Sequence, residues 1–373
     1  MSVDRRGRGA AVLAATALAV AACSTGSSPS PTGTSAASVA APSSSSAAVA
    51  SIAAASTAAS STAASSQAAA SASAGTPGAG VTIGFSMPEL TASFWISAAY
   101  GVDTEAKAEG ATVIKSNAGG DYNSDQQISG IQDLIQKKVS VIIVGATDGN
   151  AVKAVVEQAV AAGIPVVGIS SIPNSDKIVS AVGADHYGMG KLQAQCLGTA
   201  LAGKGNVALL GGPPAQSWAD EREKGFTETI ASTFPSMKVV AEDRTAWDRA
   251  NGLKVMQAWI QKYPDLAGAY SAYDDIGAGA IDAIKAAGKT GQILVSSSNL
   301  SQIGEELLKS GDLVCETTQQ VVVQGIDAVQ QAVRAATGGA VDKSVITSAV
   351  EVTKDNLATT DFTPLRAPAG YTP

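Results

Sequence analysis

The chain has 373 residues, a formal net charge of −7 and a hydrophobic content of 45%. An acidic chain is poorly suited to nucleic acid, whose phosphates need a basic surface, so we expect no nucleic-acid partner. One histidine and three cysteines supply too few nitrogen and sulfur ligands for a metal centre, and we expect neither a metal nor a cofactor.

The first 22 residues have the layout of a secretory signal peptide. Three arginines lie within residues 1–10, and the uncharged apolar run over residues 11–22 is too short to span a bilayer. The small residues end at Cys23, and residues 20–23 (Val-Ala-Ala-Cys) resemble the bacterial lipobox. This resemblance implies cleavage before Cys23, a diacylglycerol group on its sulfur, and an extracytoplasmic protein anchored to the cell membrane. An ordinary signal peptide with an incidental cysteine is the alternative.

Residues 24–80 consist almost entirely of Ala, Ser, Thr, Gly and Pro and contain no charged side chain. Such a segment buries too little apolar surface to fold. As a flexible coil it reaches about 40 Å. We therefore expect residues 23–80 to form a disordered tether that begins at the lipidated Cys23.

The segment from Val81 to Leu365 alternates short apolar runs with helix-like stretches, and it is long enough for two domains. Apolar residues recur at helical spacing between the runs, for example at Ile128, Ile131 and Leu134. The candidate strands are residues 82–85, 112–114, 139–144, 164–169, 178–182, 206–210, 238–241, 267–270, 292–295, 313–316 and 345–350. This alternation predicts an α/β fold with parallel sheets covered by helices on both faces.

Two cysteines, Cys196 and Cys315, lie within this folded segment and far apart in sequence. In an exported chain they are able to form a disulfide. A disulfide and a pair of buried thiols are both compatible with the sequence.

Several short motifs follow one another along the folded segment, at residues 82–85, 93–95, 131–135, 141–144, 147–148, 163–167, 182–185, 221–222, 225–226 and 247–248. Their order and spacing resemble the ribose-binding branch of the type I periplasmic binding proteins. The resemblance implies two Rossmann-like lobes with parallel sheets, joined by a three-segment hinge and closing on one small molecule. It divides the folded part as follows: residues 81–184 and 320–347 in lobe one, residues 185–319 and 348–365 in lobe two, and residues 366–373 as a tail.

Ligands of parallel sheets bind beyond the carboxyl ends of the strands, where the resemblance also places a sugar site. Aromatic rings cover the C–H faces of a sugar, and carboxylates, amides and arginine satisfy its hydroxyl groups. The aromatic candidates are Phe94, Trp95 and Trp247. The polar candidates are Asp148, Arg222, Asn299 and Gln319.

Several candidates also have structural explanations. Asp148 is placed to cap the helix that starts near residue 150, and Arg222 to join a surface cluster of charges. Only one of Phe94 and Trp95 needs to face a ligand, so the other is expected in the core. Trp218 either covers the cleft or packs beside it. His186 is expected at the hinge or the surface rather than on the ligand.

Three positions depart from the ribose pattern, which has Asn, Asn and Asp where this chain has Ala92, Tyr273 and Asn299. The ligand is therefore expected to differ from ribose. The side chains that offer replacement hydroxyl partners are Glu89, Tyr273, Asp274 and Asp275.

The sequence thus predicts a monomeric solute-binding lipoprotein that delivers a neutral sugar or polyol, such as a pentose, hexose or inositol, to the permease of an ABC importer. A receptor for a nucleoside or furanose signal and a sensory co-receptor are the alternatives on the same fold. No catalysis is expected, because the adjacent Asp274 and Asp275 side chains diverge and do not form a glycosidase pair.

Overall fold

The structure is a computed structural model that describes residues 76–120, 123–214, 216–244 and 248–373. The expected signal peptide, the lipidated Cys23, most of the tether and Trp247 lie outside the described residues. In the part that is described, no helix combines the length and apolar character needed to cross a bilayer.

Strands and helices alternate along almost the whole described chain. In chain order they are β1 (Thr82–Met87), α1 (Ser93–Glu109), β2 (Thr112–Asn117), α2 (Ser124–Gln136), β3 (Val141–Val144), α3 (Lys153–Ala161), β4 (Val166–Ile169), β5 (Ser180–Ala184), α4 (His186–Ala200), β6 (Lys204–Leu210), α5 (Ser217–Thr233), β7 (Ser236–Asp243), α6 (Arg249–Lys262), β8 (Leu266–Ser271), α7 (Asp274–Ala286), β9 (Leu294–Ser298), α8 (Gln302–Ser310), β10 (Leu313–Thr318), α9 (Val321–Thr337), β11 (Ser344–Thr347) and β12 (Val350–Val352).

The strands form two six-stranded sheets. The first has the order β11-β5-β4-β3-β1-β2 with all pairs parallel. The second has the order β12-β10-β9-β8-β6-β7, and only β12 runs antiparallel to its neighbour β10. We name the first sheet with α1–α3 and α9 the first lobe, and the second sheet with α4–α8 the second lobe. The α/β class with two parallel sheets is confirmed.

Strands β3 and β4 at the centre of the first sheet carry no polar side chain because helices cover both faces of the sheet. Every residue of Val141–Val144 is buried, as is every residue of Val166–Ile169. Helix ends follow local sequence signals. The Asp185 carboxylate accepts a hydrogen bond from the Gly188 N–H at 2.7 Å and starts α4, and Gly110, with φ of 78°, ends α1.

The chain passes between the lobes at three places: after Ala184, after Thr318 and after Thr347. The last passage corrects one strand prediction. Residues 345–350 were expected as a single strand, but β11 belongs to the first sheet and β12 to the second. The apolar run looks continuous in sequence because the chain needs only two residues to leave one sheet and enter the other.

Cys196 of α4 and Cys315 of β10 form a disulfide. Of the two possibilities that the sequence left open, the structure therefore has the disulfide. It closes a loop with a sequence separation of 119 and lies wholly within the second lobe. It ties α4, which follows the first passage between the lobes, to β10, which precedes the second.

Candidate functional site

The loops at the carboxyl ends of the two sheets meet. Gln216, which precedes α5, donates its side-chain N–H to the Thr147 carbonyl oxygen, which follows β3, at 3.4 Å. The first loop belongs to the second lobe and the second loop to the first lobe. Because the carboxyl ends of parallel strands are where such folds hold ligands, the space between these loops is the candidate site.

Arg222 of α5 is the central side chain on the second-lobe side. Its side chain is almost fully buried, with 2% exposed. Nη1 donates to the Ala272 carbonyl oxygen at 2.9 Å and to Asn299 Oδ1 at 3.2 Å, at the ends of β8 and β9. The alternative of a surface charge cluster is therefore wrong for Arg222. Among the described residues, no group accepts a hydrogen bond from Nη2, which leaves that nitrogen available as a donor.

Burial lowers the pKa of the Arg222 guanidinium to about 10, against the raising influence of Tyr270, Asp274 and Glu316. The group is thus cationic at neutral pH even though it is out of water. A buried cation is tolerated when hydrogen bonds and an opposite charge compensate it. Two carboxyl groups of the same lobe supply that opposite charge.

The Trp218 ring lies next to Arg222, and the Tyr273 ring lies next to Trp218. The guanidinium carbon is 5.0 Å from the centre of the Trp218 ring, and the Trp218 and Tyr273 rings meet edge to face at 6.2 Å. Stacking on an aromatic ring stabilises a partly desolvated guanidinium. Trp218 therefore packs on the cation in the structure. Whether it also covers a ligand stays a prediction.

His186 lies directly after the first passage between the lobes, which agrees with the hinge position that the sequence suggested, but it is buried and not at the surface. Its side chain is 7% exposed, and Nδ1 accepts a hydrogen bond from Arg222 Nε at 3.3 Å. Burial and then the Arg222 charge lower the pKa of the imidazole to about 2, so the ring is neutral with its proton on Nε2. Nε2 is buried and has no hydrogen-bond partner among the described residues. Sequence reasoning missed this contact because its two partners lie on different helices, His186 on α4 and Arg222 on α5, and only the fold brings them together.

The first-lobe candidates differ in exposure. Trp95 is 5% exposed and belongs to the core of the first lobe, whereas Phe94 is half-buried and touches it edge to face at 5.1 Å. One of the pair is thus a core residue, as the sequence suggested. Asp148 Oδ1 accepts hydrogen bonds from the N–H groups of Asn150 and Ala151 at 2.7 and 3.0 Å, which is a local capping arrangement.

Three further candidates make hydrogen bonds to other residues of the protein. The Glu89 carboxylate accepts a hydrogen bond from the Thr91 hydroxyl in the loop after β1. Gln319 is 3% exposed, and its Oε1 accepts from Gln324 Nε2 at 3.0 Å. Asp274 is 2% exposed, and its Oδ2 accepts from the Ser301 N–H at 2.7 Å. Their ligand contacts remain predictions.

Glu316 is a buried acid that sequence reasoning missed. It lies in β10 with 0% of its surface exposed, and its Oε2 accepts from the Leu300 N–H at 3.3 Å. The signal was present in the sequence, since residues 313–316 were expected as an apolar strand and the run ends on a carboxylate. A charged residue in a buried strand is rare unless it is paired.

Comparisons with known proteins agree with this geometry. The family model described as "Periplasmic binding protein domain" matches residues 83–340. The ribose import binding protein of Bacillus subtilis is 32% identical over 264 residues, which are 71% of this chain and 84% of that protein. The xylitol-binding protein of Mycolicibacterium smegmatis is 30% identical over 243 residues, 65% of this chain and 68% of that protein.

A solved structure is also similar over nearly all of the folded part. The ABC transporter periplasmic solute-binding protein of Actinobacillus succinogenes with bound D-allose superposes with a TM-score of 0.70 at 26% identity, covering 75% of this chain and 100% of that chain. Two sheets with three passages between them, a family match across most of both lobes and a relative above 30% identity lead to one conclusion. The chain belongs to the periplasmic binding protein family, in its type I, ribose-binding-like branch.

Proposed function

We propose that this protein is an extracytoplasmic, lipid-anchored receptor that captures a neutral sugar or polyol between its two lobes and delivers it to the permease of an ABC importer. The observation that carries the substrate class is the buried Arg222. It is held at the ends of β8 and β9, with one nitrogen uncommitted among the described residues, with the Trp218 ring beside it and the Tyr273 ring against Trp218.

The chemistry of this group suits hydroxyl-rich ligands. A fixed N–H donor satisfies a sugar hydroxyl, and aromatic rings cover the weakly polar C–H face. Relatives whose names or titles give ribose, xylitol and D-allose as ligands support the same class. Closure of both lobes on the ligand would then remove it from water, so that only the closed form binds tightly.

Charge balance favours a neutral ligand. The Arg222 charge is already offset inside the second lobe by the nearby Asp274 and Glu316. An anionic ligand would bring a negative charge that has no uncompensated partner in this group, whereas a polyol leaves the balance unchanged.

A thermal-shift screen of the full-length chain in detergent tests the proposal against xylitol, D-ribose and D-allose, with adenosine and ribose 5-phosphate as contrasting ligands. A ligand at 100 times its dissociation constant stabilises the fold by about 2.7 kcal/mol. We expect a clear shift with at least one neutral sugar or polyol. A shift with adenosine alone would move the function to a nucleoside receptor. A shift with the sugar phosphate alone would contradict the charge argument.

Membrane attachment is tested separately from ligand binding. The residues before Cys23 support lipidation there. Replacing Cys23→Ala should move the protein from the membrane fraction to the soluble fraction, and a protein that stays in the membrane fraction would contradict the anchor.

A further inference from the structure

Two buried carboxyl groups support the corner that carries Asn299. Asp274 begins α7 and Glu316 lies in β10, with 2% and 0% of their surfaces exposed. Glu316 Oε2 accepts from the Leu300 N–H at 3.3 Å, and Asp274 Oδ2 accepts from the Ser301 N–H at 2.7 Å. Each carboxyl group therefore holds one backbone N–H of the turn between β9 and α8.

This corner has an unfavourable backbone conformation. Asn299 and Leu300 have φ values of 93° and 50°, in the left-handed region that residues with side chains rarely adopt, and here two such residues are consecutive. Surrounding contacts must impose this conformation. Its result is that Asn299 Oδ1 faces Arg222 Nη1 at 3.2 Å. The two carboxyl groups thus lie behind the part of the site that positions Asn299 and Arg222.

The second oxygen of each carboxyl group lies beside Gly304 of α8. Asp274 Oδ1 and Glu316 Oε1 are buried and have no donor among the described groups. Both approach Gly304 of α8, where a Cβ atom would lie 2.6 Å from the first oxygen and 2.7 Å from the second. Two buried acceptors that meet without a donor are satisfied when one of them carries a proton.

Burial and this mutual contact also set the ionisation of the pair. Burial raises the pKa of Asp274, and burial together with the Asp274 charge raises the pKa of Glu316 well above its usual range. Two buried carboxyl groups whose free oxygens meet do not both ionise at neutral pH, so the pair holds one proton.

Other titratable groups lie on the elements packed against the pair. The exposed Asp275 of α7 raises the pKa of Asp274, and Arg222 of α5 opposes the rise at Glu316. His186 of α4 is neutral, and burial keeps the Tyr270 phenol of β8 protonated. Further acids on neighbouring elements are Glu305 of α8, which pairs with Lys309 and Arg366, the exposed Glu306 of α8, Asp282 of α7, which pairs with Arg249, and Glu351 of β12, whose pKa burial raises. One negative charge on the pair thus faces the positive charge of Arg222.

We propose that Asp274 and Glu316 share a single proton and act as positioning residues of the sugar site, holding the Asn299 corner and balancing Arg222 with one negative charge. This inference rests on the proposed function. It replaces the direct ligand contact that the sequence suggested for Asp274. Loss of the shared proton would set two carboxylates against each other beneath the corner, so the binding-competent form would be depleted at alkaline pH.

Replacement Glu316→Gln keeps the shape of the side chain but removes its ability to gain or lose a proton. The amide nitrogen would donate to Asp274 Oδ1 as the protonated acid does, and the amide oxygen would accept from the Leu300 N–H. Titration calorimetry with xylitol, D-ribose or D-allose, from about pH 6 to about pH 9, is the measurement. Above the pKa of the pair, the apparent dissociation constant of the wild-type protein should rise about tenfold per pH unit, whereas that of the variant should lack this rise.

The matched control is Glu306→Gln, which makes the same change at an exposed position of α8 and should keep the wild-type profile. Glu223 also titrates in this range, because burial and the nearby Glu242 raise its pKa to about 7, but its effect would be the same in all three proteins. Identical profiles for the wild-type protein and Glu316→Gln would overturn the proposal. If Glu316→Gln does not fold, Asp274→Asn offers the same test, since its amide would donate to Glu316 and its oxygen would accept from Ser301.

A ligand-free readout distinguishes this proposal from the proposed function. Because the folded-state pKa of Glu316 is raised, the pair stabilises the fold fully below the ordinary pKa of a glutamate, and this stability is lost as pH rises through the raised value. The melting temperature should therefore fall with rising pH more steeply for the wild-type protein than for Glu316→Gln. The infrared absorption of protonated carboxyl groups should be weaker in the variant, by the contribution of one group. If both hold and no sugar binds, the proposed function fails and the positioning role fails with it, while proton sharing stands.

Discussion

At the scale of single residues, Arg222 makes the contacts that most constrain the site. Its guanidinium joins His186, Ala272 and Asn299 while 2% of the residue is exposed. Replacement Arg222→Ala removes the donor that we propose for the ligand, and it leaves the negative charge of the Asp274–Glu316 pair uncompensated. We expect sugar binding to weaken by about 2 to 4 kcal/mol, measured by titration calorimetry.

Arg249→Ala is the control for this change. Arg249 is a second arginine of the same lobe, with 54% of its side chain exposed and an ion pair to Asp282 at 2.7 Å. Exposed pairs contribute little, so affinity should change by less than about 0.5 kcal/mol. An unaltered affinity in Arg222→Ala would remove Arg222 from the site.

The sequence identified Arg222 but not the residues that hold it. Arg222 lies within a matching stretch of sequence and was therefore readable, whereas its partners His186, Asn299 and Glu316 come from separate parts of the chain that only the fold brings together. The sequence suggested the hinge or the surface for His186. Its place beside a passage between the lobes agrees with the hinge, but its side chain is buried and its Nδ1 accepts a hydrogen bond from a buried arginine. Long-range pairing of polar groups is the part of the site that local pattern does not encode.

At the scale of secondary-structure elements, prediction was more successful because apolar periodicity reports directly on burial. Each predicted strand overlaps an observed strand, and differences are confined to the ends and to the split of residues 345–350. A strand ends where the neighbouring strand no longer offers backbone hydrogen bonds, and an apolar run in the sequence does not show that point. At β9, for example, the strand continues through Ser296, Ser297 and Ser298, which are fully buried despite their polarity.

One contact between elements carries a prediction of its own. Gly145 follows β3, and a Cβ atom there would lie 2.2 Å from Cη2 of Trp95 in α1. Replacement Gly145→Ala should therefore destabilise the fold by about 1 to 3 kcal/mol through overpacking. Combining it with Trp95→Phe makes room, so the double variant should be more stable than the sum of the two single effects by about 1 kcal/mol. Denaturant unfolding of the four proteins measures this coupling.

Gly183→Ala is the control for the effect of a Gly→Ala replacement on the backbone alone, without overpacking. A Cβ atom at Gly183 would have its nearest neighbour, Ile346 Cδ1, at 4.0 Å, which is ordinary contact. This variant should change stability little. Strict additivity between Gly145→Ala and Trp95→Phe would mean that the tryptophan ring moves aside without cost.

At the scale of the whole molecule, the last residues add a connection between the lobes besides the three passages. The sequence treated residues 366–373 as a tail. In the structure, Arg366 pairs with Glu305 of the second lobe at 2.7 Å, and the Ala367 N–H donates to Ser97 Oγ of the first lobe at 3.0 Å. Tyr371 also contacts α1 of the first lobe. Its hydroxyl donates a hydrogen bond to Asp103, and its ring meets Tyr100 edge to face with the ring centres 5.0 Å apart.

Deleting residues 367–373 should free the lobes to separate further. The change removes two hydrogen bonds and a ring contact, so unfolding should become easier by about 1 to 3 kcal/mol. Small-angle scattering should show a larger radius of gyration for the ligand-free truncated protein than for the intact chain. With sugar bound, the two proteins should scatter alike, because ligand contacts from both lobes then hold the closed form.

Tyr371→Phe refines this test. It keeps the ring against Tyr100 and removes only the hydroxyl that bonds Asp103, so its ligand-free radius should fall between those of the intact and truncated proteins. Equal ligand-free scattering from all three would mean that the three passages alone limit opening. In that case the C-terminal contacts would stabilise the first lobe without restraining the hinge, and affinity for the sugar would be the same with and without them.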